Sequence, residues 1–321
     1  MMAGAASKRK GFGAPPKPSK KDARKAQQRE TRVASLDAHA ARLLAKANGD
    51  VDQAQNAHFE AGLRALQENE PALFAQVVEL QRTTPADIDS EGAAHAKLVE
   101  LVWDSVAAYI PLGDAPAAAA AGPVGAKLRL VARACADGAG GGGDGATAAV
   151  LDVGCGDGSL VPYLLDAEAD AARYLGIDVA GGMVAAARAA HPSAAFSRLG
   201  LFDGDAPPAP PPGDAAAAGF DAVVFNGSFQ FFADARAALL RARAALRPGP
   251  GARIVLAHAN GAAFVRTEVA TSPALAISPM PAVAWLEDEA PALGMRVLGP
   301  DALGSAESLD DFYLAALEAL E

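Results

Sequence analysis

The sequence predicts an α/β protein in which a mainly parallel sheet carries helices on both faces. From residue 148 onward, short apolar runs typical of strands alternate with stretches of helical periodicity. A glycine-rich turn, 154–158, follows the first apolar run directly. Folds of this class bind ligands at the carboxyl ends of their strands. The turn therefore marks the candidate site.

The residues before this alternation divide into three parts. Residues 1–32 hold ten Lys or Arg, two acids and almost no apolar side chains, which predicts a disordered basic tail. Residues 33–112 predict a helical extension, with helices expected at 33–47, 51–68, 71–82 and 91–110. The last of these, which contains Trp103, is expected to border the site, either as a lid or partner surface or as an extra covering layer. Residues 113–147 predict a linker with one helix, 124–136.

Residues 148–321 are assigned to one domain. Strands are predicted at 148–153, 174–179, 195–199, 220–226, 252–257 and 295–298, with a closing segment at 312–320. Helices are predicted at 160–169, 182–190, 234–246 and 283–293. The segment 203–219 is rich in proline and predicts a loop, and 258–282 predicts a loose stretch without a regular element.

Charge and composition limit the functions that the chain can have. The tail carries a net charge of +8 and the rest −18, within a total of −10. An acidic body argues against a nucleic-acid groove on the main domain, although the tail could contact an acidic partner. The two cysteines have no spaced partner, so no metal site or disulfide is predicted. Without an apolar run long enough for a membrane span or a signal peptide, we expect a cytoplasmic or organellar protein that is not secreted.

The glycine-rich turn allows two ligands. A nicotinamide-binding turn would have glycine at position 159, which is Ser159 here. Asp152, an acid at the end of the strand, is poorly suited to a pyrophosphate and well suited to an ammonium group. A ligand with an amino-acid end and a nucleoside end therefore fits better than a dinucleotide.

Asp178 ends the second predicted strand, 20 residues beyond Gly158. An acid at this distance can accept both ribose hydroxyls, whereas an isolated acid here would cap the next helix. Val179 and Met183 follow it and could flank an adenine. Because the glycine-rich turn stands at the right distance, we favour ligand binding for Asp178.

Four motifs in the order 150–159, 174–179, 220–227 and 246–255 resemble those of class I S-adenosylmethionine-dependent methyltransferases. The resemblance covers about residues 150 to 320. It implies a Rossmann-like seven-stranded sheet whose last strand, 312–317, is antiparallel, and it implies S-adenosyl-L-methionine as the cofactor. By position, the methionine end would be held by Asp152, Gly154, Cys155 and Gly156. Asp178 would bind the ribose, and Asn226 would lie beside the methionyl part.

Adenine contacts are less well defined by the motifs. The segment after the third strand offers either Leu201 with Phe202 or the carboxylate of Asp203. We favour Leu201 and Phe202, because Gly200 then matches the family's usual glycine. Adenine recognition would then rest on backbone groups and apolar contact.

The acceptor is predicted to be a small molecule. The fourth-strand motif continues Asn226-Gly227-Ser228-Phe229 and lacks the Asn/Asp-Pro-Pro-Tyr of enzymes that methylate nucleobase or glutamine nitrogens. His258, at the end of the fifth strand, is a candidate general base. Phe229, Phe231 and Phe232 could wall an acceptor pocket, but we favour a core role. The alternatives are a cofactor-binding scaffold or assembly factor and an NAD(P)-dependent oxidoreductase.

Overall fold

One seven-stranded sheet organises the chain. The computed structural model describes residues 67–68, 71–83, 93–107, 123–137, 148–167, 169, 171–211, 219–272 and 274–320. The strands are β1 (Val150–Val153), β2 (Tyr174–Asp178), β3 (Ala195–Arg198), β4 (Ala222–Asn226), β5 (Arg253–His258), β6 (Met295–Leu298) and β7 (Tyr313–Ala319). Their order across the sheet is β3-β2-β1-β4-β5-β7-β6. β1 to β5 are parallel, and β7 lies antiparallel between β5 and β6. The expected sheet with an antiparallel last strand is confirmed.

Helices cover both faces of the sheet. They are α1 (Pro71–Thr83), α2 (Ala93–Ala107), α3 (Pro123–Ala136), α4 (Val161–Asp166), α5 (Gly181–Ala190), α6 (Ala235–Ala245), α7 (Gly261–Thr271) and α8 (Val283–Glu289). On one face α3, α4 and α5 pack on the side chains of Val150, Val224 and Val255. On the other, α6, α7 and α8 pack on Leu151, Val223 and Ile254. Burial on both faces explains why these strands are continuous apolar runs in the sequence.

Of the helices predicted before the first strand, three can be compared with the structure. The helix expected at 33–47, and residues 51–66 of the helix expected at 51–68, lie outside the described residues. Helix α1 extends one residue beyond the helix expected at 71–82, and α2 lies within the one expected at 91–110. The helix predicted in the linker is α3, and its residues Val131 and Cys135 are fully buried against the sheet. This helix therefore belongs to the packed layer.

The prediction of a loose stretch at 258–282 is wrong, because α7 occupies Gly261–Thr271. Asn260, a residue type that often caps helices, makes no side-chain cap at its start. The first N–H groups instead donate to the carbonyl oxygens of Leu309 and Asp310, from a distant loop. Gly261 has φ +76° and approaches Asp310 so closely that a Cβ would clash with its carbonyl. The start of this helix is thus set by tertiary contact.

Helix α2 covers the carboxyl end of β2 and the start of α5. The Asp104 carboxylate accepts a hydrogen bond from the N–H of Gly182 at 2.7 Å, at a helix end that has no local side-chain cap. The His95 imidazole bonds the carbonyl of Leu275 at 2.8 Å. A small apolar cluster joins the same surfaces: Leu98, Val99, Val102, Ala180, Met183, Ala274 and Leu275. None of the helices in the described part of the chain has the length and apolar character of a membrane span.

Candidate functional site

The glycine-rich turn is fastened to the end of β2. The N–H groups of Gly154 and Cys155 both donate to the carbonyl of Ile177, at 2.8 and 3.0 Å. Gly154 has φ +71°, and a Cβ there would come within 2.5 Å of the Ser228 Cβ. Ser228 in turn donates its hydroxyl to the carbonyl of Val153. The turns that follow β1 and β4 are therefore packed together, and the first requires glycine.

Open space lies beside both turns. Gly156 has φ +53° and Gly227 has φ +71°, and a Cβ at either position would meet no atom within 4 Å. They follow β1 and β4, between which the strand order changes direction. Ligands of doubly wound sheets bind at this switch point. The two glycines thus expose backbone to open space at the point where the fold predicts a ligand.

Asp178 supports the same turn. Its Oδ2 accepts the N–H of Gly156 at 2.9 Å, and its Oδ1 accepts the N–H of Ala180 at 2.8 Å. Burial raises its pKa, the two backbone bonds lower it, and the charge of Asp104 raises it further. Each carboxylate oxygen can accept a second hydrogen bond. Asp178 can therefore hold the turn and still accept hydroxyl groups from a ligand.

Asp152 is a buried acid with unused hydrogen-bonding capacity. Its side chain is 2% exposed, and its Oδ2 accepts the hydroxyl of Tyr174 at 3.0 Å. Its Oδ1 has no partner in the protein. Burial raises the pKa of Asp152 to about 7, and the negative charges of Asp178 and Asp157 add to the rise, while the Tyr174 bond opposes it. A cationic ligand group would satisfy this oxygen and favour the ionised form.

The residues predicted to surround the adenine lie in different environments. Leu201 is buried among the core side chains, whereas Phe202 is 52% exposed and packs edge-on against Phe232, 6.2 Å between ring centroids. The Asp203 carboxylate accepts the N–H of Gly200 at 2.7 Å. Val179 packs against the α2 cluster.

The other predicted site residues lie at the same edge of the sheet. Cys155 is buried in the glycine-rich turn, and Asn226 is half-buried at the end of β4. Phe229 is fully buried against Phe225, at 5.1 Å between ring centroids, so its expected core role is confirmed. Phe231 instead faces Trp103 of α2, at 6.0 Å between ring centroids.

His258 ends β5 at the same edge. Its ring stacks on Phe264 of α7 at 5.4 Å, and its Nδ1 has no partner in the protein. Burial lowers its pKa to about 4, and the positive charge of Lys127 contributes. Lys127 is itself held by the carbonyls of Ala259 and Asp311. The imidazole is consequently neutral at physiological pH.

Gln230 and Glu268 were not predicted as site residues from the sequence. Gln230 is 2% exposed, and its Nε2 donates to the carbonyl of Gly227 at 3.1 Å and to Glu268 at 3.4 Å. Burial raises the pKa of Glu268 to about 7. Glu268 lies on α7, a helix that was not predicted. The apolar residues at 262, 265 and 269 have the spacing of a helix and could have indicated it.

Unpaired polar atoms collect at this edge. Within the described residues, the buried side-chain atoms without a hydrogen-bond partner are Asp152 Oδ1, Tyr163 Oη, Gln230 Oε1, His258 Nδ1 and Asn260 Oδ1. All except the Tyr163 hydroxyl belong to residues at or just beyond the carboxyl ends of β1, β4 and β5. Buried polar atoms in proteins nearly always have partners. Their concentration here marks this edge as a place where a ligand or bound water would supply the missing partners.

Residues 151–251 match a family described as "Methyltransferase domain". No curated protein sequence matches the chain.

Several solved structures are similar to the chain. One is the magnesium protoporphyrin IX methyltransferase of Synechocystis PCC 6803 with bound SAM, at 17% identity and TM-score 0.38, covering 61% of this chain and 77% of that one. A second is an S-adenosylmethionine-dependent methyltransferase of Mesorhizobium loti, at 18% and 0.40, covering 54% and 91%. A third is the plantazolicin methyltransferase BpumL, at 13% and 0.45, covering 77% and 99%.

Proposed function

We propose that the chain is a class I S-adenosylmethionine-dependent methyltransferase that methylates a small-molecule acceptor at the carboxyl edge of its sheet. The family profile lies on β1 to the turn before β5, and the seven strands have the family's antiparallel last strand. The cofactor, S-adenosyl-L-methionine, supplies an electrophilic methyl group on a cationic sulfonium.

The observation that carries the site assignment is the unpartnered Oδ1 of Asp152. A buried carboxylate oxygen beside a glycine-rich turn suits the ammonium of the methionine end, directly or through a water. The open space beside Gly156 and Gly227 suits the close approach of that end to backbone. Gly154 and Cys155 shape the turn, and Asn226 borders the cleft from β4.

Asp178 is assigned to the ribose. Both of its oxygens lie at the turn, and each retains capacity for one more hydrogen bond. Val179 and the segment with Leu201 and Phe202 are assigned to the adenine, because they follow the strands on the same side of the switch point. An oxidoreductase is disfavoured, because Ser159 replaces the third glycine and Asp152 would repel a pyrophosphate.

The position of helix α2 favours a small molecule as the acceptor. It lies over the carboxyl edge, held by Asp104 on Gly182 and by His95 on Leu275, and it brings Trp103 against Phe231. A covered site suits a compact molecule that is enclosed during transfer and excludes water from the reacting groups. Transfer from a sulfonium needs mainly proximity and in-line orientation, which an enclosed site supplies. His258, neutral at physiological pH, is kept as a candidate base.

Calorimetry with S-adenosylmethionine, S-adenosylhomocysteine and NAD tests the cofactor assignment on the full chain. We expect both adenosyl ligands to bind and NAD to be silent; tight binding of NAD alone would contradict the assignment. The acceptor is then sought with methyl-labelled S-adenosylmethionine. The label is followed separately into the small-molecule fraction and the macromolecular fraction of an extract. Label confined to macromolecules would refute a small acceptor, and cofactor binding with no transfer would favour a scaffold role.

A further inference from the structure

The orientation of the Gln230 amide is determined by its neighbours. One corner of the amide lies 3.1 Å from the carbonyl oxygen of Gly227 and 3.4 Å from a carboxylate oxygen of Glu268. Both neighbours are acceptors, so that corner must be the NH₂ group, and a flipped amide would set oxygen against oxygen. The opposite corner is therefore Oε1, an acceptor.

This oxygen is buried and has no partner in the protein. The rest of Gln230 is firmly held, because its backbone carbonyl accepts the N–H groups of Ile277 and Ser278 at 3.0 and 3.1 Å. A buried acceptor without a donor costs free energy that the surrounding structure does not recover. A ligand N–H or O–H at this point would remove that cost.

Glu268 adds a second acceptor beside the first. It follows Phe264 by four residues on α7, so both side chains lie on the same face of the helix. Phe264 stacks on His258 at the end of β5, which directs this face toward the carboxyl edge of the sheet. Burial raises the pKa of the Glu268 carboxyl to about 7, which suits a group that exchanges a proton near neutrality.

The two acceptors adjoin the proposed cofactor cleft. Gln230 is joined by its hydrogen bond to Gly227, and open space lies beside the Cα of Gly227. The pair thus stands between the turn after β4 and the helix after β5. On the opposite side of the same turn, Ser228 reaches the end of β1 and the glycine-rich turn.

Resting on the proposed function, we propose that Gln230 and Glu268 form the acceptor subsite, and that it takes a small molecule presenting a neutral O–H or N–H. Above the pKa of Glu268, at pH 8, its ionised carboxylate and Gln230 Oε1 both accept hydrogen bonds, so they select a protic group. At that pH they give no partner to an ether, a thioether or a tertiary amine without a proton. Phe264 provides an apolar wall beside them.

Binding of three probes that share one ring tests the subsite without requiring turnover. They are 4-methylphenol, 4-methylaniline and 4-methylanisole, titrated by ligand-observed NMR into the full chain saturated with S-adenosylhomocysteine. A hydrogen bond to a carboxylate corresponds to about 10-fold or more in affinity. We expect the phenol or the aniline to bind about 10-fold more tightly than the anisole, and the tighter of the two identifies a hydroxyl or an amine acceptor.

Variants then test whether Gln230 and Glu268 cause the preference for protic probes. Glu268→Gln removes the charge with little change in shape, and Gln230→Met removes Oε1 at similar volume. Both are expected to lose most of the preference for the protic probes. Glu287→Gln, on the exposed side of α8, is the matched control and should retain it. If Gln230→Met does not fold by circular dichroism, Glu268→Gln alone decides.

The outcomes separate the two proposals. No preference for a protic probe in the wild-type chain, or an unchanged preference in both folded variants, overturns the subsite. Failure of the wild-type chain to bind S-adenosylhomocysteine overturns the proposed function. In that case the same probes are titrated into the protein alone, and a preference that depends on Gln230 and Glu268 would still support a protic-ligand site.

Discussion

Replacing Asp178 with alanine separates its two possible roles, ribose binding and support of the glycine-rich turn. In the structure, its oxygens accept the N–H groups of Gly156 and Ala180 at 2.9 and 2.8 Å. Loss of cofactor affinity in the variant would therefore not by itself demonstrate a ribose contact. A comparison of S-adenosylhomocysteine with its 2′-deoxy analogue can demonstrate that contact. Any change in the turn affects both ligands equally, so the ratio of their affinities reports only the 2′-hydroxyl.

The expected magnitude follows from the charge of the acceptor. A hydrogen bond to a charged group contributes about 1.5–3 kcal/mol, so the wild-type chain should prefer the hydroxylated ligand by about 10- to 150-fold. In Asp178→Ala the ratio of the two affinities should fall toward unity, whatever the absolute loss. Isothermal calorimetry measures both affinities, and circular dichroism checks that each variant is folded.

Asp203→Ala is the matched control for this experiment. Asp203 also accepts a backbone N–H, that of Gly200, but on the loop after β3. Its removal should leave the 2′-hydroxyl preference intact. A preference that persists in Asp178→Ala would refute the ribose assignment and leave Asp178 as a support for the turn. If Asp203→Ala instead lost the preference, the ribose contact would be assigned to the loop after β3.

The remaining predictions concern the charge at the site, its open space and the helix that covers it. Because burial holds the pKa of Asp152 at about 7, its carboxyl is protonated below that pH and cannot hold an ammonium. The affinity for S-adenosylhomocysteine should therefore fall roughly tenfold per pH unit below pH 7, whereas 5′-methylthioadenosine, which lacks the amino-acid end, should show no such fall in calorimetry. Gly156→Ala and Gly204→Ala place a side chain at φ +53° and +77°, and each should cost about 1–2 kcal/mol of stability in thermal unfolding. Only the Gly156 variant should also weaken cofactor binding, and equal affinities in the two variants would mean that the open space beside Gly156 is not the cofactor cleft. Leu98→Ala, at a fully buried position of α2, should lower the free energy of unfolding by about 2–5 kcal/mol in denaturant titration and weaken cofactor binding. Val78→Ala, at an exposed position of α1, should change neither, and a similar effect in both variants would argue against α2 as a covering helix.

The sheet was predictable because each parallel strand is a local apolar run. β2 and β6 lie at or within one residue of their predicted bounds, and β4 and β5 within two. In the central strands β1, β4 and β5, burial on both faces produces this signal, and it does not depend on which strand lies beside which. The glycine-rich turn was equally readable, because positive φ at Gly154, Gly156 and Gly158 restricts those positions to glycine.

The proposed acceptor subsite, Gln230 and Glu268, could not be predicted from the sequence in the same way. Helix α7 begins where the N–H groups of Ala262 and Ala263 donate to carbonyls near residue 310, and Asn260 before it makes no side-chain cap. Gln230 and Glu268 are 38 residues apart in the chain and have neither a motif nor a shared periodicity. Their meeting depends on how α7 packs over β4 and β5.

The sequence by itself determined the fold class, the strands, the glycine-rich turn and the two acids, Asp152 and Asp178, that follow from its motifs. These features arise from local rules: strand periodicity, the conformational freedom of glycine, and the fixed distance between neighbouring strand ends. Only the tertiary structure decided that Asp178 also supports the turn and that Asp152 keeps an unpartnered oxygen. It also decided that α2 packs over the end of β2, with a hydrogen bond between His95 and Leu275, 180 residues apart. Such contacts depend on the positions of whole elements in space, and a single sequence encodes these only through the packing of the complete fold.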